Sequence, residues 1–70
     1  MKVSARNVFK GKVKKIAIGP VSAKVSIQIA PKIVISSVIT AEAVKELGLK
    51  EGGTAYAIIK ASNVIVGIDD

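Results

Sequence analysis

The stretch Val21-Ser-Ala-Lys-Val-Ser-Ile-Gln-Ile29 decides the fold, because its apolar and polar residues alternate without a break. Valine, alanine and isoleucine occupy the odd positions, and serine, lysine and glutamine occupy the even ones. Successive side chains of a β-strand point to opposite faces of a sheet, so this period of two predicts a strand with one buried and one solvated face. The chain is therefore predicted to be built on β-structure.

Turn-forming residues separate this strand from one on either side. The strand-like run from Asn7 to Ile18 ends at Gly19-Pro20, a pair typical of a turn because glycine tolerates positive φ and proline fixes φ. Pro31 precedes the next run, Lys32 to Ile39. Both faces of that run carry apolar residues, which favours a strand in the core or at an interface.

A single short helix is predicted over Thr40-Ala-Glu-Ala-Val-Lys-Glu-Leu-Gly48. Thr40 suits the N-cap, and Gly48 lies where a left-handed residue ends a helix. Val44 and Leu47 are three residues apart and are expected to face the core together. Two turns of helix are marginal alone, so packing must hold this one in place.

Two further strands are predicted after the turn at Glu51-Gly52-Gly53, from Thr54 to Ala61 and from Val64 to Ile68. The element order is then β-β-β-α-β-β. This order predicts an all-β fold, a five-stranded OB-like barrel with one short helix between strands 3 and 4. Residues 1–70 are expected to form a single domain.

The side-chain chemistry argues against an enzyme and against a protein-made metal site. The sequence has no cysteine and no histidine, and its carboxylates number only five. This leaves no obvious general base and no nucleophile with a group to activate it. Thiolate and imidazole metal ligands are also missing, so no metal cation is expected to be bound directly by protein side chains.

The composition predicts an oligomer that binds an anionic partner. Half of the residues are apolar, more than a 70-residue monomer easily buries, so the excess is interpreted as subunit interface. The net charge of +6 indicates an anionic partner. No signal-peptide pattern follows Met1-Lys2, and no apolar run approaches the roughly 20 residues needed to span a bilayer, so a cytoplasmic location is expected.

The row Lys10, Lys12, Lys14 and Lys15 raises the alternative of a nucleic-acid-binding OB module. Such modules stack bases on aromatic side chains within a basic groove. Phe9 and Tyr56 are the only aromatic residues, so a solvated basic face is the favoured interpretation of these lysines. A purely structural oligomerisation domain, with incidental anion sites, is a second alternative.

Several short motifs, taken together, resemble the molbindins, also called Mop proteins, the molybdenum-pterin-binding protein family of the TOBE class. The resemblance spans essentially the whole chain and depends on the order and spacing of the motifs. They are Ser4-Ala-Arg-Asn7, Gly19-Pro-Val-Ser-Ala-Lys-Val25, Ile39-Thr-Ala41, Leu47-Gly-Leu49, Lys50-Glu-Gly52 and Ile59-Lys-Ala-Ser-Asn-Val64.

This resemblance implies a stand-alone molbindin with an OB-like barrel, assembled as a homohexamer that is a trimer of dimers. It implies that molybdate or tungstate is bound between subunits, for intracellular molybdenum storage and homeostasis. No organic cofactor, nucleic acid or membrane is implied as a partner. Molybdate is a tetrahedral dianion whose oxygens only accept hydrogen bonds, so amide, hydroxyl and ammonium donors must converge on it.

The resemblance also nominates two classes of molybdate site. The interface site would draw on one subunit for Ser4, Ala5 and Arg6, and on another for Thr40, Ala43, Lys60, Ala61 and Ser62. Ala43 has no side-chain donor, so its share would be a backbone N–H at the helix start. A second class, near the three-fold axes, would use the turn of Gly19, Pro20, Val21 and Ser22.

Overall fold

A computed structural model describes residues 1–69 and confirms the predicted order of the first four strands and the helix. The boundaries differ from the predicted ones by two residues or fewer. The elements are β1 (Asn7–Ile18), β2 (Ser22–Ala30), β3 (Ile33–Thr40), α1 (Ala41–Glu46) and β4 (Thr54–Ile59), followed by a 3-10 turn (Ala61–Asn63).

The four strands form one antiparallel sheet in the order β3-β2-β1-β4, and the bent strand β1 pairs with both β2 and β4. Its first half, Asn7 to Lys12, pairs with β4, and its second half, Lys12 to Ile18, pairs with β2. A Cβ at Gly11 would collide with the carbonyl oxygen of Gln28, so glycine permits the close approach at this bend. A register shift between Val13 and Lys15 adds curvature, and the sheet curls into a half-barrel.

The core lies inside the curl and follows the alternation predicted for the central strand. Ala23, Val25 and Ile27 of β2 are buried, whereas Lys24 between them is exposed. Six of residues 1–69 are buried, and they also include Val13, Val44 and Ala57. Every one of these six is apolar.

The helix begins and ends as predicted, but one core contact is different. The Thr40 hydroxyl accepts a hydrogen bond from the Ala43 N–H at 3.0 Å, and Gly48 has a φ of +63°. The expectation that Leu47 faces the core is wrong, because Leu47 is the C-cap and is 68% exposed. Leu49 packs against the core instead, since its N–H bonds to the Val44 carbonyl in a Schellman arrangement that turns the chain back.

The predicted fifth strand, Val64 to Ile68, is not found, so the five-stranded barrel is not confirmed. Strand β4 ends at Ile59, and the 3-10 turn carries the chain away from the sheet. Among the described residues no strand pairs with this segment, and Ile65 and Ile68 are more than 90% exposed. Because a strand exists only through its ladder to a neighbour, an apolar alternation alone could not create one here. The half-barrel stays open between its edge strands, β3 and β4.

No helix within residues 1–69 has the length and apolar character needed to cross a membrane.

Candidate functional site

The N-terminal arm and the segment after β4 lie side by side. Asn7 pairs with Ile59 across β1 and β4, and the Asn7 side-chain amide donates to the Ile59 carbonyl oxygen at 3.1 Å. Arg6 and Lys60 are the next residues outward from this pair. The predicted site residues of both segments therefore flank the same end of the sheet. This arm cluster consists of Ser4, Ala5, Arg6, Lys60, Ala61 and Ser62.

Donors dominate the arm cluster. Arg6 and Lys60 supply cationic groups, and Ser4 and Ser62 supply hydroxyls; all four residues are exposed. The described part of the chain holds no group of three or more His, Cys, Asp or Glu residues that could bind a metal cation. A cluster of hydroxyls and cationic groups suits an anion rather than a cation.

The helix start and the β1–β2 turn lie together at another place in the fold. Ser22 pairs with Thr40, and the Ala41 N–H donates to the Val21 carbonyl at 2.8 Å. The turn is closed by the Gly19 N–H, which donates to the Ser22 carbonyl at 2.8 Å. The remaining predicted site residues therefore form a second group. This turn cluster consists of Gly19, Pro20, Val21, Ser22, Thr40 and Ala43.

The hydrogen bonds at the helix start determine whether the Ala43 N–H is available to a ligand. Its N–H already donates to the Thr40 hydroxyl oxygen, and the Ala41 N–H is used by Val21. The hydroxyl of Thr40 keeps its own proton free to donate outward. Ala43 thus orients and polarises the Thr40 hydroxyl, whereas a direct bond from Ala43 to a ligand would require breaking the cap.

The two clusters lie at opposite ends of β1. The arm cluster adjoins Asn7, and the turn cluster adjoins Ile18, the last residue of that strand. Within one chain, the sheet pairing holds Lys60 beside the arm and holds Thr40 beside the β1–β2 turn. The sequence-based expectation instead grouped Thr40, Ala43 and Lys60 in one subunit.

The hollows in the open side of the half-barrel do not suit an oxyanion. They have volumes of about 340 and 420 Å³ and lie between β3 and β4, lined by residues such as Ile35, Ile39 and Ile58. Ser37 and Tyr56 are the hydroxyl-bearing residues common to both hollows, but no lysine or arginine is among the described residues that line them. Mainly apolar walls without a cationic side chain compensate a dianion poorly for its lost hydration. The polar clusters are the better candidates.

Sequence reasoning did not nominate Asn7, which links the two segments of the arm cluster. Its position at the start of a strand-like run is visible in the sequence, but its bond to Ile59 joins residues 52 positions apart. Only the antiparallel pairing of β1 with β4 brings these residues into contact.

Comparisons with known proteins agree on one family. The model of the TOBE domain matches residues 3–66. The "Probable molybdenum-pterin-binding protein" of Haemophilus influenzae is 54% identical over 69 residues, covering 99% of this chain and all of the relative. The apo structure of MopII from Clostridium pasteurianum superposes with a TM-score of 0.89 at 40% identity, over 96% of this chain and all of that one.

A third relative is larger. The molybdate-bound structure of ModG, a cytoplasmic molybdate-binding protein, superposes with a TM-score of 0.93 at 49% identity. It covers 99% of this chain, which spans 49% of the ModG chain. With a family model over most of its length and relatives at this identity, the chain belongs to the TOBE-domain family and, within it, to the molybdenum-pterin-binding proteins, the molbindins.

Proposed function

We propose that this protein binds molybdate, and accepts tungstate as an equivalent tetrahedral dianion, between the subunits of a homo-oligomer. Its role is storage and homeostasis of the oxyanion in the cytoplasm, and it performs no catalysis. The observation that carries this proposal is the separation of the two donor clusters. Each cluster alone is exposed and incomplete, and each could complete the other across a subunit boundary.

The arm cluster supplies most of the positive charge for the oxyanion, and the turn cluster supplies a hydroxyl donor of fixed orientation. Lys60 is a point charge close to the arm, and Ser4 and Ser62 are hydroxyl donors that can rotate toward an oxygen. Thr40 donates from a second copy with its hydroxyl held by the Ala43 N–H. Hydrogen bonds from charged and polarised donors are the stronger ones, and a dianion needs several of them to replace its water.

The topology suggests a different division between subunits from the one the sequence implied. We assign Ser4, Ala5 and Arg6 to the same copy as Lys60, Ala61 and Ser62, because Asn7 and Ile59 hold these segments together. A second copy contributes Thr40 and, through it, Ala43. Arg6 contributes its backbone N–H at least.

The second class of site would form where the turn of Gly19, Pro20, Val21 and Ser22 meets its equivalents around a three-fold axis. Val21 is 75% exposed and Pro20 is exposed, so the turn is free to meet other copies. The turn lies beside Thr40, so we propose that both classes of site form near the same helix start.

Exposed apolar surface supports assembly, with a hexamer built as a trimer of dimers as the proposed state. The segment from Val64 to Ile68 is exposed in a lone chain, and the apolar hollows between β3 and β4 are uncovered. Apolar surface of this extent on a small domain indicates an interface. Covering both features with neighbouring copies would remove them from water and bring the donor clusters of different chains together.

Native mass spectrometry with and without molybdate tests the proposal, because it reports subunit number and bound ions together. We expect a homo-oligomer whose mass rises by whole molybdate ions. A monomer that takes up no ion would overturn the proposal. Full assembly without tight oxyanion binding would favour a structural oligomerisation domain instead, and steeply salt-dependent binding of single-stranded DNA would favour the nucleic-acid module.

A further inference from the structure

Strands β1 and β2 diverge before Lys12 and leave an open cleft between them. Their pairing ends at Lys12 and Gln28, and before Lys12 strand β1 pairs with β4 alone. Before Lys12 the edge of β1 that faces β2 has no paired strand in the described part of the chain, but the Gln28 carbonyl lies close against Gly11. The open edge therefore runs from Asn7 to Lys10. Such an edge presents N–H and C=O groups that another extended chain can pair with.

This cleft has a volume of about 540 Å³, and two lysines stand among polar and apolar lining residues that include Ile29 and Pro31. Lys10 and Lys12 are exposed and stand on the same face of β1, two residues apart. Gln28 and Thr54 add an amide and a hydroxyl. No carboxylate is among the described residues that line the cleft, so the charge of the two lysines is not neutralised within it.

The backbone of β2 cannot close the cleft from its own side. Ile29 is left out of the register between β2 and β3, which marks a bulge at the point where β2 leaves β1. Pro31, which follows β2, has no N–H to donate. The next residue, Lys32, has a φ of +67°, so the hairpin turns away sharply toward β3. The free edge of β1 therefore stays available.

We infer that this cleft binds an extended acidic peptide segment of a protein partner. The peptide backbone adds as a strand to the β1 edge near Lys10, and its carboxylates meet Lys10 and Lys12. Strand addition gives affinity through main-chain hydrogen bonds, and alternate side chains give selectivity. This surface lies outside both donor clusters, so the inference does not depend on molybdate binding.

A peptide fits the cleft better than a nucleic acid does. A strand edge alternates N–H and C=O groups, and only another peptide backbone matches both, because phosphates accept hydrogen bonds but do not donate them. Single-stranded nucleic acids also need aromatic platforms for their bases. Neither Phe9 nor Tyr56 lines the cleft.

The test is fluorescence anisotropy of a labelled seven-residue peptide of alternating glutamate and valine, titrated with the full-length protein. We expect saturable binding that the double variant Lys10→Glu, Lys12→Glu weakens at least about tenfold, the equivalent of about 1.4 kcal/mol. The matched control carries Lys24→Glu and Lys45→Glu, which change the charge equally at exposed lysines outside the cleft. A peptide of equal charge with proline at the valine positions is expected to bind weakly, since proline fixes φ at about −65° and keeps the peptide out of strand geometry.

Three results would overturn the inference: equal losses in the two double variants, equal binding of the proline peptide, or tighter binding of an oligothymidine than of the peptide. Circular dichroism checks that each variant is folded. If the glutamate variant is not folded, Lys10→Gln with Lys12→Gln takes its place with the same expected direction. Molybdate uptake by native mass spectrometry, measured on the same samples, is expected to be unchanged and so separates this surface from the proposed oxyanion site.

Discussion

Asn7 and Ile59 are joined twice, once as a register pair of β1 and β4 and once through the Asn7 side-chain amide, which donates to the Ile59 carbonyl at 3.1 Å. The pair holds the N-terminal arm beside Lys60. Removing the amide should therefore weaken oxyanion binding without touching a donor of the arm cluster.

We expect Asn7→Ala to lower the free energy of unfolding by about 1 kcal/mol, the net value of an ordinary hydrogen bond. Molybdate affinity should fall by up to about fivefold, because Ser4 to Arg6 would lose their fixed position. Urea unfolding and isothermal titration measure the two effects. Asn63→Ala, at the exposed second asparagine, is the control and should change stability little. Unchanged affinity in Asn7→Ala would show that the arm needs no anchor.

Lys60 is the charged donor that the proposed interface site depends on most. Lys60→Ala should weaken molybdate binding by about tenfold or more, since a hydrogen bond from a charged group is worth about 1.5–3 kcal/mol. It should also reduce the rise in Tm caused by molybdate, because stabilisation by a ligand follows its affinity. Isothermal titration and thermal melts on both forms provide the measurement. Lys45→Ala on α1 is the matched control, and equal affinities in Lys60→Ala and the native chain would remove Lys60 from the site.

Thr40 combines a structural role with a proposed ligand role, and its variants separate the two. Thr40→Ala removes the helix cap and should cost about 1 kcal/mol of stability together with a loss of molybdate affinity. Thr40→Ser keeps the hydroxyl and should retain both. Thr40→Asn can still cap the helix through its side-chain oxygen, but it alters the donor. The three variants are therefore expected to differ in the combination of unfolding free energy and molybdate affinity, measured by chemical unfolding and titration. Full molybdate affinity in Thr40→Ala would limit Thr40 to capping the helix.

Substitutions at Gly11 test the bend of β1, because strand propensity predicts that a larger side chain raises stability there and steric fit predicts that it lowers stability. Propensity alone would make Gly11→Val stabilising, since valine is favoured in strands and glycine is not. A Cβ at this position collides with the Gln28 carbonyl, so we expect Gly11→Ala to destabilise by about 1–3 kcal/mol and Gly11→Val by at least as much. Urea unfolding decides the sign. A stabilised Gly11→Val would mean that β1 does not approach β2 so closely.

Local signals were read correctly from the sequence because their causes are local. The alternation from Val21 to Ile29 follows from the geometry of a strand, and it placed Ala23, Val25 and Ile27 in the core. The Thr40 cap and the left-handed Gly48 depend only on residues within one helical turn or next to it.

Long-range relationships could not be read in the same way. The same apolar patterning that marked real strands also marked Val64 to Ile68, but nothing in that stretch says which strand it should pair with. Helical spacing wrongly predicts a core position for Leu47, because the Schellman turn that brings Leu49 to the core lies beyond the helical period. The division of the donors between two ends of β1 required the sheet order, which spacing along the chain does not contain.

The segment from Val64 to Ile68 offers the sharpest test of assembly, because its side chains are exposed in a lone chain. Ile65 is 94% exposed, so Ile65→Asp should change the stability of the single subunit by no more than about 0.5 kcal/mol. If a neighbouring copy covers this segment, the same substitution buries an unpaired carboxylate and should dissociate the oligomer. Sedimentation velocity over a range of protein concentrations measures the change. Ile65→Val, which keeps an apolar side chain at the same position, is the control and should leave the oligomer intact. An oligomer that keeps its size with aspartate at position 65 would show that the segment stays in water, and the apolar hollows between β3 and β4 would then need another explanation.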